Sequence, residues 1–231
     1  MDNKKLIIII AIIAIAVVAV VGYVFYSGML TPETRETTNF TSDFMDGAFT
    51  SNVSEVNKTK YFVSWKDNEH HIEYNMSTLD NTTALIDVQD VQSIINNGGA
   101  SGFVGPETRN YNGNDWKIYF TQGISTDENS SNANKTMNII VCESQGEKQG
   151  YLIYIVLDNS SDVEFRLSPF CDAYTEYVEP LLESITLKEC KDVPHIYDKL
   201  GLSEADFREQ MEIVHQVKAG NYSALQEQEE A

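Results

Sequence analysis

Glu69, His71 and Glu73 recur at every second residue, the spacing that lines one face of a strand. A carboxylate, an imidazole and a second carboxylate together can ligate a divalent metal. Alternate positions on one strand lie about 7 Å apart, so a metal there needs a further donor from a neighbouring strand. The set reads as a solvated strand face, and no metal ligand is assigned. The other histidines, His70, His195 and His215, form no spaced set. Cys142, Cys171 and Cys190 lack the spacing of a zinc site. In an oxidising compartment an odd number of cysteines leaves at least one unpaired. Cys171 and Cys190, which flank a helical stretch, can pair; three buried, reduced thiols are the alternative.

The remaining motifs are equally sparing. No Gly-x-Ser-x-Gly nucleophile elbow is present. The glycine-rich run 98–105 lacks the Gly-Lys-Ser/Thr of a phosphate loop and does not open a helix, so it reads as a connector. Asp158-Asn159-Ser160-Ser161-Asp162 offers oxygens to calcium, but it lacks the central Gly and closing Glu of an EF-hand loop and reads as a turn. Catalytic residues, cofactor sites and metal sites are therefore all expected to be absent.

What the sequence does carry is a dense set of Asn-x-Ser/Thr sequons, at Asn39, Asn52, Asn57, Asn75, Asn81, Asn129, Asn134, Asn159 and Asn221. Such motifs mark surface positions in exported chains. Most fall in polar stretches; Asn75 falls on the polar face of a strand. Glycosylation of several is expected, and an Asn-rich composition with empty sequons is the alternative. The formal net charge of −19 repels nucleic acid and anionic headgroups, which excludes both as main partners.

Export requires a route, and the amino terminus supplies one. Residues 6–26 contain no charged side chain and are almost wholly Leu, Ile, Val and Ala. As a helix they span about 31 Å at about 1.5 Å per residue, close to the roughly 30 Å of a hydrocarbon core. Lys4 and Lys5 precede them, which places the amino terminus in the cytoplasm and the rest outside. A cleaved signal peptide is the rival; its apolar region is usually shorter and ends in a small-x-small site, which this run lacks. The expected organisation is a cytoplasmic stub (1–5), a transmembrane helix (6–26), a flexible tether (27–45), an extracytoplasmic α+β domain (46–190) and a C-terminal helical appendage with an acidic tail (191–231).

Within the domain, Tyr61, Val63 and Trp65, then Ile72, Tyr74 and Met76, alternate with polar residues and read as a hairpin. Leu85, Val88, Val91 and Ile95 recur at helical spacing, with Asn81, Thr82 or Thr83 as the cap. Strands are expected around Trp116, Ile118 and Phe120, over 137–143 and over 151–157. The last is apolar on both faces and belongs at the centre of a sheet covered on both sides. A helix from about Pro169 is interrupted by Pro180, 185–187 is a short last strand, and Ser203-x-x-Asp206 opens a final helix.

The order hairpin, helix, antiparallel strands, then a closing helix ending in Leu182-Glu183-Ser184-Ile185 resembles the PsbP-like superfamily over residues 46–188. The family is named for a photosystem II extrinsic subunit and includes many small exported or anchored prokaryotic proteins. The resemblance implies an α/β/α sandwich, an antiparallel sheet between helical layers, and a binding or assembly role; it transfers no functional residue. The expected function is a non-enzymatic, membrane-anchored surface module that binds a protein, an envelope polymer or a small ligand. The alternative is an envelope enzyme of hydrolase type without a recognisable motif.

Overall fold

The turn between the first two long strands of the main sheet is built on a buried charge. Asp67 is fully buried. Its Oδ1 accepts the N–H groups of Glu69 and His70 at 2.9 and 3.0 Å, and its Oδ2 lies 2.7 Å from His70 Nδ1. Burial pushes this carboxyl upward, but the His70 N–H, the Ser51 hydroxyl and the His70 ring outweigh it and hold the group below the usual aspartate range. A group lowered on folding adds stability that is complete above its unfolded value, about 3.9, and is lost as pH falls through its folded value. Asp67→Asn is therefore expected to lower stability at pH 7, with the gap to wild type closing as pH falls below about 4. Thermal melts from pH 7 to pH 2 check this; a gap that does not change with pH would refute it.

The structure, a computed structural model, describes residues 37–96, 100–124 and 136–221. It is a mixed α+β protein with antiparallel sheets. A small sheet contains β1 (Thr38–Thr41), β2 (Met45–Phe49) and β10 (Thr186–Leu187). The main sheet contains β3 (Ser54–Lys58), β4 (Phe62–Asp67), β5 (Ile72–Leu79), β6 (Phe103–Tyr111), β7 (Asn114–Ile124), β8 (Thr136–Gln145) and β9 (Gly150–Leu157). Its order is β3-β4-β5-β9-β8-β7-β6. The strand that is apolar on both faces, β9, lies between β5 and β8. Tyr151, Ile153, Ile155 and Leu157 enter the largest core, while Leu152 packs with Val141 and Ile86 in another.

Helical segments supply the partners of both cores. Helix α1 (Thr82–Asn96) packs on β8 and β9. A π-helical segment, Ala173–Val178, runs into α2 (Glu179–Ser184), and together they bring Tyr174, Val178, Leu181 and Leu182 to the large core. Pro180 stands at the start of α2, where its missing N–H costs nothing, so the helix restarts there as expected. Phe170 is 79% exposed, because the helical segment expected from about Pro169 begins only after it. Between β6 and β7 a two-residue turn has φ of 51° at Asn112 and 80° at Gly113, the left-handed pair that a tight hairpin demands.

Two expected boundaries are corrected. Residues 38–45, assigned to a tether, form β1 and the start of β2, and they bury Phe40, Phe44 and Met45. Their partners are distant in sequence: the Phe40 and Phe49 rings lie 4.9 Å apart, and Phe49 meets Trp65 and Tyr74 at 5.6 and 4.8 Å. Residues after 190 are not an appendage either. Helices α3 (Ile196–Leu200) and α4 (Glu204–Lys218) place Ile196, Met211, Val214 and Val217 in one core with Leu79, Ala84, Val91 and Ile94. An amphipathic helix needs such a surface to cover its apolar stripe. Asp80 fastens the entry to α3, accepting the Ile196 N–H at 2.9 Å beside His195 Nδ1 at 2.7 Å. Ser203 caps α4 by accepting the Asp206 N–H at 3.2 Å, as its motif implies. The segment 6–26 lies outside the described residues, among which no helix is long and apolar enough to cross a membrane.

Candidate functional site

Helix α1 begins where Asn81 Oδ1 accepts the Ala84 N–H at 3.0 Å. This cap sets Thr82 and Thr83 over β8. Gly150 lies opposite, and a Cβ there would collide with Thr82, so the glycine permits the close approach. Both threonine hydroxyls donate to Oε1 of Glu143, at 3.0 Å from Thr82 and 2.5 Å from Thr83. Glu143 is 1% exposed. Its Oε2 has no hydrogen-bond partner among the described residues and lies 3.7 Å from Lys117 Nζ on β7. A buried carboxylate oxygen left in this state is costly to fold, which makes it the first place to look for a ligand.

Thr83 and Lys117, the one bonded to Glu143 and the other 3.7 Å from it, line a cleft of about 460 Å³, and Glu143 lies beneath them. The cleft is lined by Thr83, Asp87 and Asp90 of α1, Phe103 of β6, Lys117 and Tyr119 of β7, and Lys218 of α4. Lys218 pairs with Asp87 and lies 3.5 Å from Asp90. Burial disfavours the Lys218 cation, but the two aspartates outweigh burial and raise its pKa. The Ser101 hydroxyl also donates to Asp90, at 2.5 Å. Burial pushes the Tyr119 phenol upward, and Glu143, Asp87 and Asp90 push it further, so it stays protonated at any physiological pH. The Tyr119 and Phe103 rings meet edge to face at 6.1 Å. A second hollow, of about 330 Å³, lies between α1 and α4 and shares Thr83 and Asp87 with the first. The cleft can bind and orient a small polar molecule. Among the described residues no His or Cys lines it.

The residues singled out by sequence lie elsewhere. Glu69 and His71 belong to the turn before β5, where His71 has φ of 56° and Nδ1 lies 3.8 Å from Asp158, so the expected strand-face triplet does not exist. Glu73 accepts from Asn75 Nδ2 at 2.9 Å. Among the described residues no three His, Cys, Asp or Glu side chains are grouped to hold a metal. Asp158 shapes the expected turn by accepting the Ser160 N–H at 2.7 Å. Cys142, Cys171 and Cys190 are each unbridged in the structure. Cys171 Sγ donates to Ser168 O at 3.2 Å, and Cys190 Sγ to Asp43 O at 3.3 Å. Burial raises the pKa of Cys142 and of Cys190, which quietens both as nucleophiles.

Among the sequons, Asn39, Asn52, Asn57, Asn81, Asn159 and Asn221 are exposed and Asn75 is half-buried; Asn129 and Asn134 lie outside the described residues. Asn39 and Asn57 lie on strands rather than loops. Sequence reasoning passed over Glu143, Lys117 and Lys218. One signal was present: Glu143 is the first charge after Ile139-Ile140-Val141-Cys142, and a charge ending an apolar strand calls for a partner. The run 98–105, read only as a connector, sends Ser101, Phe103 and Gly105 to the cleft.

No family model and no curated protein matches the sequence. Two solved structures are similar at a TM-score of 0.41 each. One is a protein from Bacteroides thetaiotaomicron VPI-5482, 6% identical, with 65% of this chain and 48% of that chain covered. The other is cyanobacterial PsbP (CyanoP) from Synechocystis sp. PCC 6803, 7% identical, with 67% of this chain and 94% of that one covered. This chain thus spans about half of the first and nearly all of the second. A PsbP protein is among the structures it resembles, as the element order implied. At this level of similarity neither structure lends a site or an activity to this chain.

Proposed function

We propose that this chain is a membrane-anchored extracytoplasmic binding module, without enzymatic activity, whose ligand site is the cleft over Glu143. The observation that carries the reading is the Glu143 carboxylate, buried and bonded by two threonines on one oxygen only, beneath Thr83 and Lys117 of the cleft lining. Ligand sites combine a concave surface with a few placed polar groups, and this cleft has both. The uncharged run 6–26 behind Lys4 and Lys5 supports the anchor and its direction. The exposed sequons support glycosylation of an exported domain. Helices facing both core layers of the main sheet support the α/β/α layering. The partner fits a polymer or small ligand of the envelope; nucleic acid does not suit a surface this acidic.

A buried carboxylate also favours a second reading, a hydrolase with Glu143 as general acid or base. Against it, Asp87 and Asp90 are already engaged with Lys218. Protease added to intact cells is expected to digest residues after 26 and leave a membrane-embedded stub. A domain protected until lysis would overturn the topology. Full-length protein is expected to be retained on isolated envelope polymer, and Lys117→Glu to lose that retention. Equal retention of the two would remove the cleft as the binding site.

A further inference from the structure

Three groups, Lys117 and Tyr119 in the cleft lining and Glu143 beneath it, have bonding capacity to spare, and their chemistry defines a ligand. Glu143 Oε2 accepts no hydrogen bond. Lys117 Nζ lies 3.7 Å from it, and the Lys117 side chain is 43% exposed. The Tyr119 hydroxyl makes no hydrogen bond among the described residues. By contrast Asp87, Asp90, Ser101 and Lys218 satisfy one another. The open groups are thus one acceptor, one donor and one hydroxyl that is both. Glu143 and Lys117 cancel in charge. An anionic ligand would face Asp87, Asp90 and Glu143, and a cationic one Lys117 and Lys218. Two aromatic rings, Phe103 and Tyr119, form the apolar part of the wall.

We propose that the cleft binds one neutral sugar unit of a larger glycan, an inference that rests on the binding-module reading above. One ring hydroxyl donates to Glu143 Oε2 once Lys117 swings out. Lys117 and the Tyr119 hydroxyl then donate to neighbouring sugar oxygens, and the C–H face of the ring packs on Phe103 and Tyr119. A neighbouring pair of sugar hydroxyls supplies donor and acceptor side by side, which a simple ion does not. The volume, about 460 Å³, falls within the roughly 300–1,000 Å³ of small-molecule sites.

The test is calorimetric titration of the detergent-solubilised full chain with the methyl glycosides of glucose, galactose, mannose and N-acetylglucosamine. Glucuronic acid and glucosamine serve as charged comparisons. At least one neutral glycoside is expected to bind saturably and at least tenfold more tightly than either charged sugar. Tyr119→Phe and Lys117→Met are each expected to weaken it at least tenfold with unchanged melting temperature, and Lys60→Met to leave it unchanged. Glu143→Gln should abolish binding; if that variant does not fold, the two rim variants decide. Binding by none of the neutral glycosides, tighter binding of a charged sugar, or indifference to both rim variants overturns the proposal. Loss of polymer retention in Lys117→Glu without glycoside binding would mark the ligand class as wrong and the cleft as right.

Discussion

A chain beginning at residue 46 is expected to fail to fold, whereas one beginning at residue 37 folds. The difference is β1 and the start of β2. Phe44 and Met45 are fully buried and Phe40 nearly so. Burial of a large apolar side chain contributes about 1.5–3 kcal/mol, so losing three removes roughly 4–9 kcal/mol, against a total stability of about 5–15 kcal/mol. The cut also strips polar supports. Ser42 Oγ accepts the Met45 N–H at 3.0 Å. Lys188 Nζ donates to Ser42 O at 2.9 Å and pairs with Asp46 at 2.6 Å, and β10 pairs with β2 at Met45 and Asp46. Without β1 and Met45, the Phe49 ring and the half-buried Trp65 face water. Circular dichroism melts of chains 37–231 and 46–231 check this. A cooperative transition of 46–231 within a few degrees of the longer chain would show that the first strand is dispensable.

The same segment shows where the sequence is hard to read. Local periodicity reveals an element when its apolar residues recur at a fixed step, as in α1 or the strand 151–157. Phe40, Phe44 and Met45 sit among Thr, Ser, Asn and Asp with no such step. Their burial is decided by Trp65, Tyr74 and the helices after residue 173, which no local window contains. Likewise the stripe Met211, Val214 and Val217 marks a helix but does not say what it covers. The cleft was illegible for a related reason. Glu143 meets Thr82 and Thr83 across about sixty residues, and Lys218 meets Asp87 across more than a hundred. Isolated acids and lysines in an acidic chain look like solvated surface, and only the pairing of α1 with β8 and α4 distinguishes these few. The elements with strong local chemistry were legible: the Ser203 cap and the restart at Pro180.

Ile153→Asp and Leu152→Asp are each expected to unfold the protein, and Glu73→Ala is not. Adjacent residues on β9 point to opposite faces, so the pair probes both cores of the main sheet. Ile153 is fully buried in the large core, paired with Met76 on one side and Cys142 on the other. Leu152 is 1% exposed and packs with Val141 and Ile86 beneath α1. An aspartate at either site loses about 1.5–3 kcal/mol of apolar burial. It also buries a carboxylate without a partner, which costs several kcal/mol more. At Leu152 the neighbour across the ladder is Glu143, and a like charge directly opposite adds repulsion. The total approaches the whole stability of a domain. Glu73 is half-buried, pairs with Val156 and accepts one bond from Asn75; its loss costs about 1 kcal/mol, the net value of one hydrogen bond. Melts of the three variants distinguish the cases. If Ile153→Asp unfolds and Leu152→Asp melts like wild type, the α1 face does not contribute to a continuous core, and the cleft over Glu143 loses the rigid wall on which its ligand depends.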